Sequence, residues 1–229
     1  MDVNLPFHHI KNILNDKGFD FTILHCSLYG SRLYGTWNET SDYDVFIIVN
    51  EDIDDLDIHD ETYKINDNDT KIDLTIRSIK RFNEMVKFCD VHAIEIMMSP
   101  LSAILFEDTE KTVKVIYESF NPKDPETALA IRKSFSAKSD WAEVRARKKL
   151  IDKEYKVAIR SVYHSYRIIK FAVQIGKHGK IIDWSEANDL FNELKIIPCE
   201  QLTTEMFKEI YKKWVKSGLL TEFKGLFPK

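Results

Sequence analysis

Apolar positions change period part-way along this chain, and the change divides it in two. Over residues 7–17 (FHHIKNILNDK) Phe7, Ile10, Ile13 and Leu14 recur at helical spacing, and Gly18 supplies a stop. Phe21–Leu28 and Val45–Val49 are short apolar runs of the kind found in central strands. Thr62–Ile65 and Lys71–Ile76 flank the turn-rich Asn66-Asp67-Asn68-Asp69 and read as a β-hairpin. Within it Ile72, Leu74 and Ile76 take one face, leaving Asp73 and Thr75 on the other. Ser78 is an N-cap for a helix over Ser78–Phe88, whose apolar positions are Ile79, Phe82, Met85 and Val86. His92–Met98 is apolar enough to pack the core, and Ser99-Pro100 interrupts it. Glu51–Asp60, rich in Asp, reads as a solvated connection.

Beyond Pro122 and Pro125 long helical patterns run almost without a turn signal to Gly176, and Trp184–Leu194 and Thr204–Val215 read as further helices. The expectation is an α+β chain: a mixed sheet flanked by helices over residues 1–120, then an all-helical domain over 121–229, with the boundary in Asn121–Pro125.

Charge sharpens this division. The formal net charge is only −4, yet residues 1–110 carry 9 Lys+Arg against 22 Asp+Glu, and residues 131–180 carry 14 Lys+Arg against 4 Asp+Glu. A basic stretch of that size suits a polyanion such as RNA or a triphosphate tail. It equally suits a face folded back on the acidic half, or a solvated helix surface. Cys26, Cys89 and Cys199 are far apart and form no CxxC pair, which argues against a disulfide framework or structural zinc and for a reducing cytoplasm. No run approaches membrane-spanning length, and the start lacks the layout of a signal peptide. His8-His9 are adjacent and point apart on a helix, so they read as surface residues.

The chemistry is concentrated in Leu28–Val49, LYGSRLYGTWNETSDYDVFIIV. Gly30-Ser31 falls where the first strand should end, and small residues with free N–H groups at a helix start suit phosphate oxygens. Asp42 and Asp44 are two apart at the head of the second strand, so both side chains leave one face. Two carboxylates on one face make a hard, oxygen-rich site for Mg²⁺.

Gly-Ser, ten residues, then Asp-x-Asp on a strand resembles the polymerase-β-like nucleotidyltransferase superfamily. The longer GSRLYG…SDYD is similar to the RNA-repair-pathway DNA polymerase β family of predicted nucleotidyltransferases, with Leu33 where that family commonly has Ala. The resemblance is strong over roughly the first hundred residues. It implies a third acidic residue on a later strand, supplied by Asp73, and a helical domain bearing on the nucleotide. The implied activity is transfer of NMP from an NTP to an acceptor hydroxyl with release of pyrophosphate. Asp42, Asp44 and Asp73 would be catalytic and would hold two Mg²⁺ ions (Mn²⁺ as alternative), and Gly30, Ser31 and Arg32 would contact the phosphates. Arg32 equally reads as a structural ion-pair partner, and Tyr34 and Gly35 as residues that shape the turn.

In the helical half Arg145, Lys149, Lys156, Arg160, His164 and Arg167 recur at helical intervals and can line one face of a continuous helix, with Tyr163 and Tyr166 near it for stacking or packing. His164-Ser165-Tyr166-Arg167 resembles a His-x-x-Arg pattern of the same branch. Lys149, Arg160, His164 and Arg167 are therefore the nucleotide-binding candidates of this half. The expected acceptor is RNA, for instance a tRNA 3′ end in repair. Nucleotidylation of a partner protein of the toxin–antitoxin type, modification of a small molecule, and an inactive nucleotide- or RNA-binding module are the alternatives.

Overall fold

The computed structural model describes residues 5–53, 62–67, 70–198, 201–216 and 218–228. The chain folds into two compact units, one of residues 1–87 and 92–120, the other of 88–91 and 121–229.

The first unit is an α+β layer around a mixed sheet. Helix α1 (Phe7–Asp16) buries Ile10, Ile13 and Leu14 and ends before Gly18. The strands are β1 (Ile23–Tyr29), β2 (Tyr43–Val49), β3 (Thr62–Asp67), β4 (Thr70–Ser78) and β5 (Ile104–Glu107), in the spatial order β3-β4-β2-β1-β5. Among these strands only β2 and β4 pair in parallel. Parallel neighbours need a crossover, and here the chain between them holds β3, which returns antiparallel against β4. Val45, Ile47 and Val49 alternate with Phe46 and Ile48, and all five are buried, as a central strand covered on both faces requires. Helix α2 (Gly30–Tyr34) follows β1 directly. Helix α3 (Ile79–Lys87) starts where Ser78 Oγ accepts the Arg81 N–H at 3.0 Å, and it lays Phe82 against Phe46. Helix α4 (Val91–Met97) is buried along nearly its whole length. Strand β5 and helix α5 (Thr112–Ser119) carry no clear period in the sequence. The strand is four residues long and half-buried throughout, so it leaves no alternation to read. The expected loop Glu51–Asp60 lies mostly outside the described residues.

The second unit is helical. Helix α6 (Pro125–Ile151) begins with Asp124 as N-cap, its carboxylate accepting the Thr127 N–H at 3.0 Å, and Pro125 at the first helical position. Helix α7 (Tyr155–His178) ends at Gly179, which takes the left-handed conformation. Between them Lys153 has φ 60°, so α6 and α7 form a hairpin and the expected continuous helix is broken. No Gly or Pro marks this break. It follows from packing: Ile131, Phe135, Ala142, Ala146 and Leu150 of α6 and Ala158, Val162, Ile169 and Ala172 of α7 are buried, and the hairpin lets each helix cover the other's apolar stripe. Small residues allow close approach, and Ser139 and Ser165 meet across the pair at 2.9 Å between hydroxyls. Helices α8 (Asn188–Lys195), α9 (Thr204–Tyr211) and α10 (Leu219–Leu226) complete the unit, and a π-helical turn at Lys212–Lys216 follows α9. The expected helix over Trp184–Leu194 starts later, because Asp183–Glu186 is tied down by Gln174, whose amide bonds Ile182, Asp183 and Glu186.

No helix among the described residues is long and apolar enough to cross a membrane. Cys26 and Cys89 are free thiols, and burial pushes both up to about 12, so neither is a reactive nucleophile. Cys199 lies outside the described residues.

Candidate active site

Strand register builds the site. Asp44 sits opposite Tyr29 on one side and opposite Asp73 on the other, so three neighbouring strands deliver Tyr29, Asp44 and Asp73 to one face. Asp42 precedes β2 by one residue and is half-buried. Its charge reaches Asp44, as does that of Asp73. Burial first, then the repulsion of Asp73 and of Asp42, pushes the Asp44 carboxyl up to about 6 against the donation of the Ser31 N–H and the charge of Arg32. Tyr29 donates or accepts at 3.0 Å with the Thr75 hydroxyl, and Thr75 continues the face that carries Asp73. Burial raises the Tyr29 pKa, so it stays a neutral phenol beside the carboxylates.

Gly30 is required by this geometry. It has φ +70°, and a Cβ built there would lie 2.0 Å from Asp44 Oδ2 and 2.7 Å from its Cγ. The turn is therefore closed directly against the carboxylate, and the Ser31 N–H is directed at Asp44. Gly35, at φ 73°, ends α2 in the left-handed conformation. Tyr34 is buried and its hydroxyl donates to Glu95 at 2.6 Å, which anchors α2 on α4.

Arg32 has another partner than an acidic side chain. Its guanidinium donates to the Ser41 carbonyl at 2.9 Å and lies over the Tyr43 ring, 3.5 Å from the centroid, and 5.0 Å from that of Trp37. The structural reading of Arg32 as an ion pair is corrected to a stacked, carbonyl-bonded arginine that clamps the loop between α2 and β2. With Tyr43, Thr70 and Lys71 it lines a polar cavity of about 390 Å³.

The candidates of the helical half do not form one face. Lys149 is on α6, 2.6 Å from Glu154, whereas Arg160, His164 and Arg167 are on α7. Arg160 and His164 are exposed. Arg167 is 1% exposed, lies over Phe171 at 5.0 Å and donates to His164 Nδ1 at 2.9 Å. Arginine has no acceptor, so His164 must present Nδ1 unprotonated and carry its proton on Nε2. Tyr163 and Tyr166 are buried, against Phe191 and Trp214 respectively, and pack the core.

Among the described residues no group of three or more His, Cys, Asp or Glu side chains is arranged to hold a metal ion. By donor chemistry the carboxylates still fit one: they are oxygen-only, half-buried and mutually repelling, which a divalent cation would relieve. Sequence reasoning missed Tyr29, because its place is set by the antiparallel β1·β2 register; its position just before Gly30 was the available signal.

The chain matches the model of the RNA repair pathway DNA polymerase beta family over residues 7–197. It belongs to that family. A role in nucleotidyl transfer follows in general terms from this membership. Among solved structures, a nucleotidyltransferase-like protein from Exiguobacterium sibiricum 255-15 is similar at 14% identity and a TM-score of 0.38, covering 95% of this chain and 72% of that one. No curated protein matches the chain.

Proposed function

We propose that this family member is a divalent-metal-dependent nucleotidyltransferase that moves NMP from an NTP to an acceptor hydroxyl, releasing pyrophosphate, with RNA as the acceptor. The observation that carries the reading is Asp44 facing Asp73 across the parallel β2·β4 register, with Gly30 closed against Asp44. Above pH about 6 Asp44 ionises, and Asp42, Asp44 and Asp73 present oxygen donors to a hard cation, Mg²⁺ first and Mn²⁺ next. When bound, two such ions supply Lewis-acid activation of the acceptor oxygen and of the leaving pyrophosphate. In this reading Asp73 also takes the acceptor hydroxyl's proton. The Gly30 backbone and the Ser31 hydroxyl approach the phosphates, while Arg32 acts by holding the loop and by its charge. In the helical half Arg160 and His164 are exposed, Arg167 bonds the His164 ring and Lys149 pairs with Glu154; these four are the nucleotide-binding candidates of that unit. The basic surplus of residues 131–180 supports RNA over a small acceptor.

The test is transfer of each α-labelled NTP to bulk tRNA in Mg²⁺, with Asp42→Ala and Asp44→Ala as controls. Label on RNA, lost in both variants, is the expected result. Label on a protein moves the acceptor to the protein-nucleotidylation reading, and NTP binding without pyrophosphate release leaves an inactive module. Turnover retained by Asp44→Ala at wild-type stability overturns the site.

A further inference from the structure

Ion pairing sorts the basic half into two populations of cation. Arg147 is held by Glu143 at 2.7 Å, Lys149 by Glu154, Lys170 by Glu186 at 2.9 Å, and Lys177 by Glu222. These are salt-bridged surface. Lys133, Lys138, Arg145 and Lys148, all on α6, have no carboxylate partner among the described residues. Lys133, Trp141, Val144, Lys148 and Ile151 follow one another at intervals of eight, three, four and three, so they share one exposed stripe of the helix, with Lys138 and Arg145 along its edge. The stripe spans about 27 Å. At its centre Trp141 is 56% exposed, with Lys138 Nζ 5.8 Å and the Arg145 guanidinium 5.4 Å from its ring. More than half of this indole lies in water between two cations, while another face of α6 packs the core with Phe135, Ala142 and Ala146.

We propose that this face of α6 is a docking surface for single-stranded RNA, with a base stacked on Trp141 and backbone phosphates on Lys133, Lys138, Arg145 and Lys148. The occupant follows from charge complementarity and from the flat ring. Unpaired cations release counterions to a polyanion, and a base offers the indole a partner of its own shape. Val144 and Ile151 are the other large apolar groups of the stripe and are separated by Lys148, too little apolar area for a membrane helix. The surface shares Arg145 with the stripe read from the sequence and leaves out its Lys149, Lys156, Arg160, His164 and Arg167. It rests on the proposed function only for the choice of RNA as acceptor, since binding here needs no turnover.

The experiment is fluorescence anisotropy of a 5′-labelled 20-nucleotide single-stranded RNA across a salt series. It uses the full chain, Trp141→Ala, the double variant Lys138→Glu/Lys148→Glu, and Lys213→Glu as a control at a cation paired with Glu193. All four positions are at or near the surface, and circular dichroism checks that each variant is folded. Trp141→Ala is expected to weaken binding about tenfold, the loss of one base stack. The double variant is expected to lower the slope of log K against log salt by about 1.4, two phosphate contacts on a single strand. Lys213→Glu is expected to bind like wild type. Absence of RNA binding by the wild-type chain, equal losses in Lys213→Glu, or unchanged affinity in both stripe variants would overturn the proposal. So would stripe-dependent binding to phosphatidylserine vesicles in place of RNA. Pyrophosphate release, measured in parallel with Asp44→Ala, separates the two readings: stripe-dependent RNA binding without turnover refutes the transferase and leaves the surface standing.

Discussion

The acidic sheet of the first unit and the basic helices of the second assemble charge by opposite means. In the sheet, hydrogen-bonded register places Asp44 against Asp73, and burial together with the repulsion of two neighbouring carboxylates pushes the Asp44 carboxyl up to about 6. In the helices, cations are spread over α6 and α7, and many are neutralised locally by Glu143, Glu154, Glu186 or Glu222. Strand register forces like charges together, at a cost that only a counter-ion or protons offset. Helix surfaces let like charges separate, so their cations reach each other only through a shared ligand. A substitution in the sheet should therefore act sharply, and one among the helical cations weakly unless the residue is buried.

The largest expected effect is loss of all transfer in Asp44→Ala or Asp73→Ala with the fold retained, read by pyrophosphate release and thermal melting. Activity surviving either change would remove the sheet's claim to the chemistry. Gly30→Ala comes next. A Cβ 2.0 Å from Asp44 Oδ2, added to a positive φ, should cost about 3 kcal/mol in denaturant unfolding and displace Asp44 as well. A smaller loss would mean that the turn can move off the carboxylate.

Asp44→Asn sharpens the comparison through pH. The folded-state pKa is raised from 3.8 to about 6, so the native chain binds more protons than the unfolded one between those values. The stability that the protonated carboxyl contributes is complete below about 4 and lost as pH rises through 6. At pH 7.5 the Asn variant, free of metal, should thus be more stable than wild type by roughly 3 kcal/mol, and the gap should close by pH 4. Millimolar Mg²⁺ should raise the wild-type melting temperature and leave the variant unmoved. Equal pH profiles would show that Asp44 is not repelled as the geometry implies.

On the helical side Arg167→Ala should cost about 2 kcal/mol of stability, because a buried side chain over Phe171 and a bond to His164 are lost together. A raised KM at unchanged stability would instead make Arg167 a direct ligand contact. Lys149→Ala should be the mildest, within about 0.5 kcal/mol, since its pair with Glu154 is solvent-exposed.

Much of this was legible in the residues alone. The alternation of Ile72, Leu74 and Ile76 assigned Asp73 and Thr75 to one face, and β4 carries them so. The hairpin, the Ser78 cap and the change to helices after residue 120 were readable because each rests on interactions within a few residues. The α6–α7 stripe misled, since helical spacing continues through Asp152–Glu154 without a breaker. The turn there exists because two apolar stripes cover each other, a long-range gain that outweighs Lys153 in a left-handed conformation.

The sequence by itself determined α1, the strands β1 to β4, the change to helices beyond residue 120, the Gly30-Ser31 turn, the spacing of its acidic residues and the family to which they point. Only the tertiary structure decided that Asp44 faces both Tyr29 and Asp73, that Arg32 is clamped by Ser41 and Tyr43, and that Arg167 is buried while Trp141 is not. The reason is physical. Period and capping are local and are written in neighbouring residues, whereas strand register and burial depend on partners tens of residues away, whose pairing is chosen by the energy of the whole packed unit.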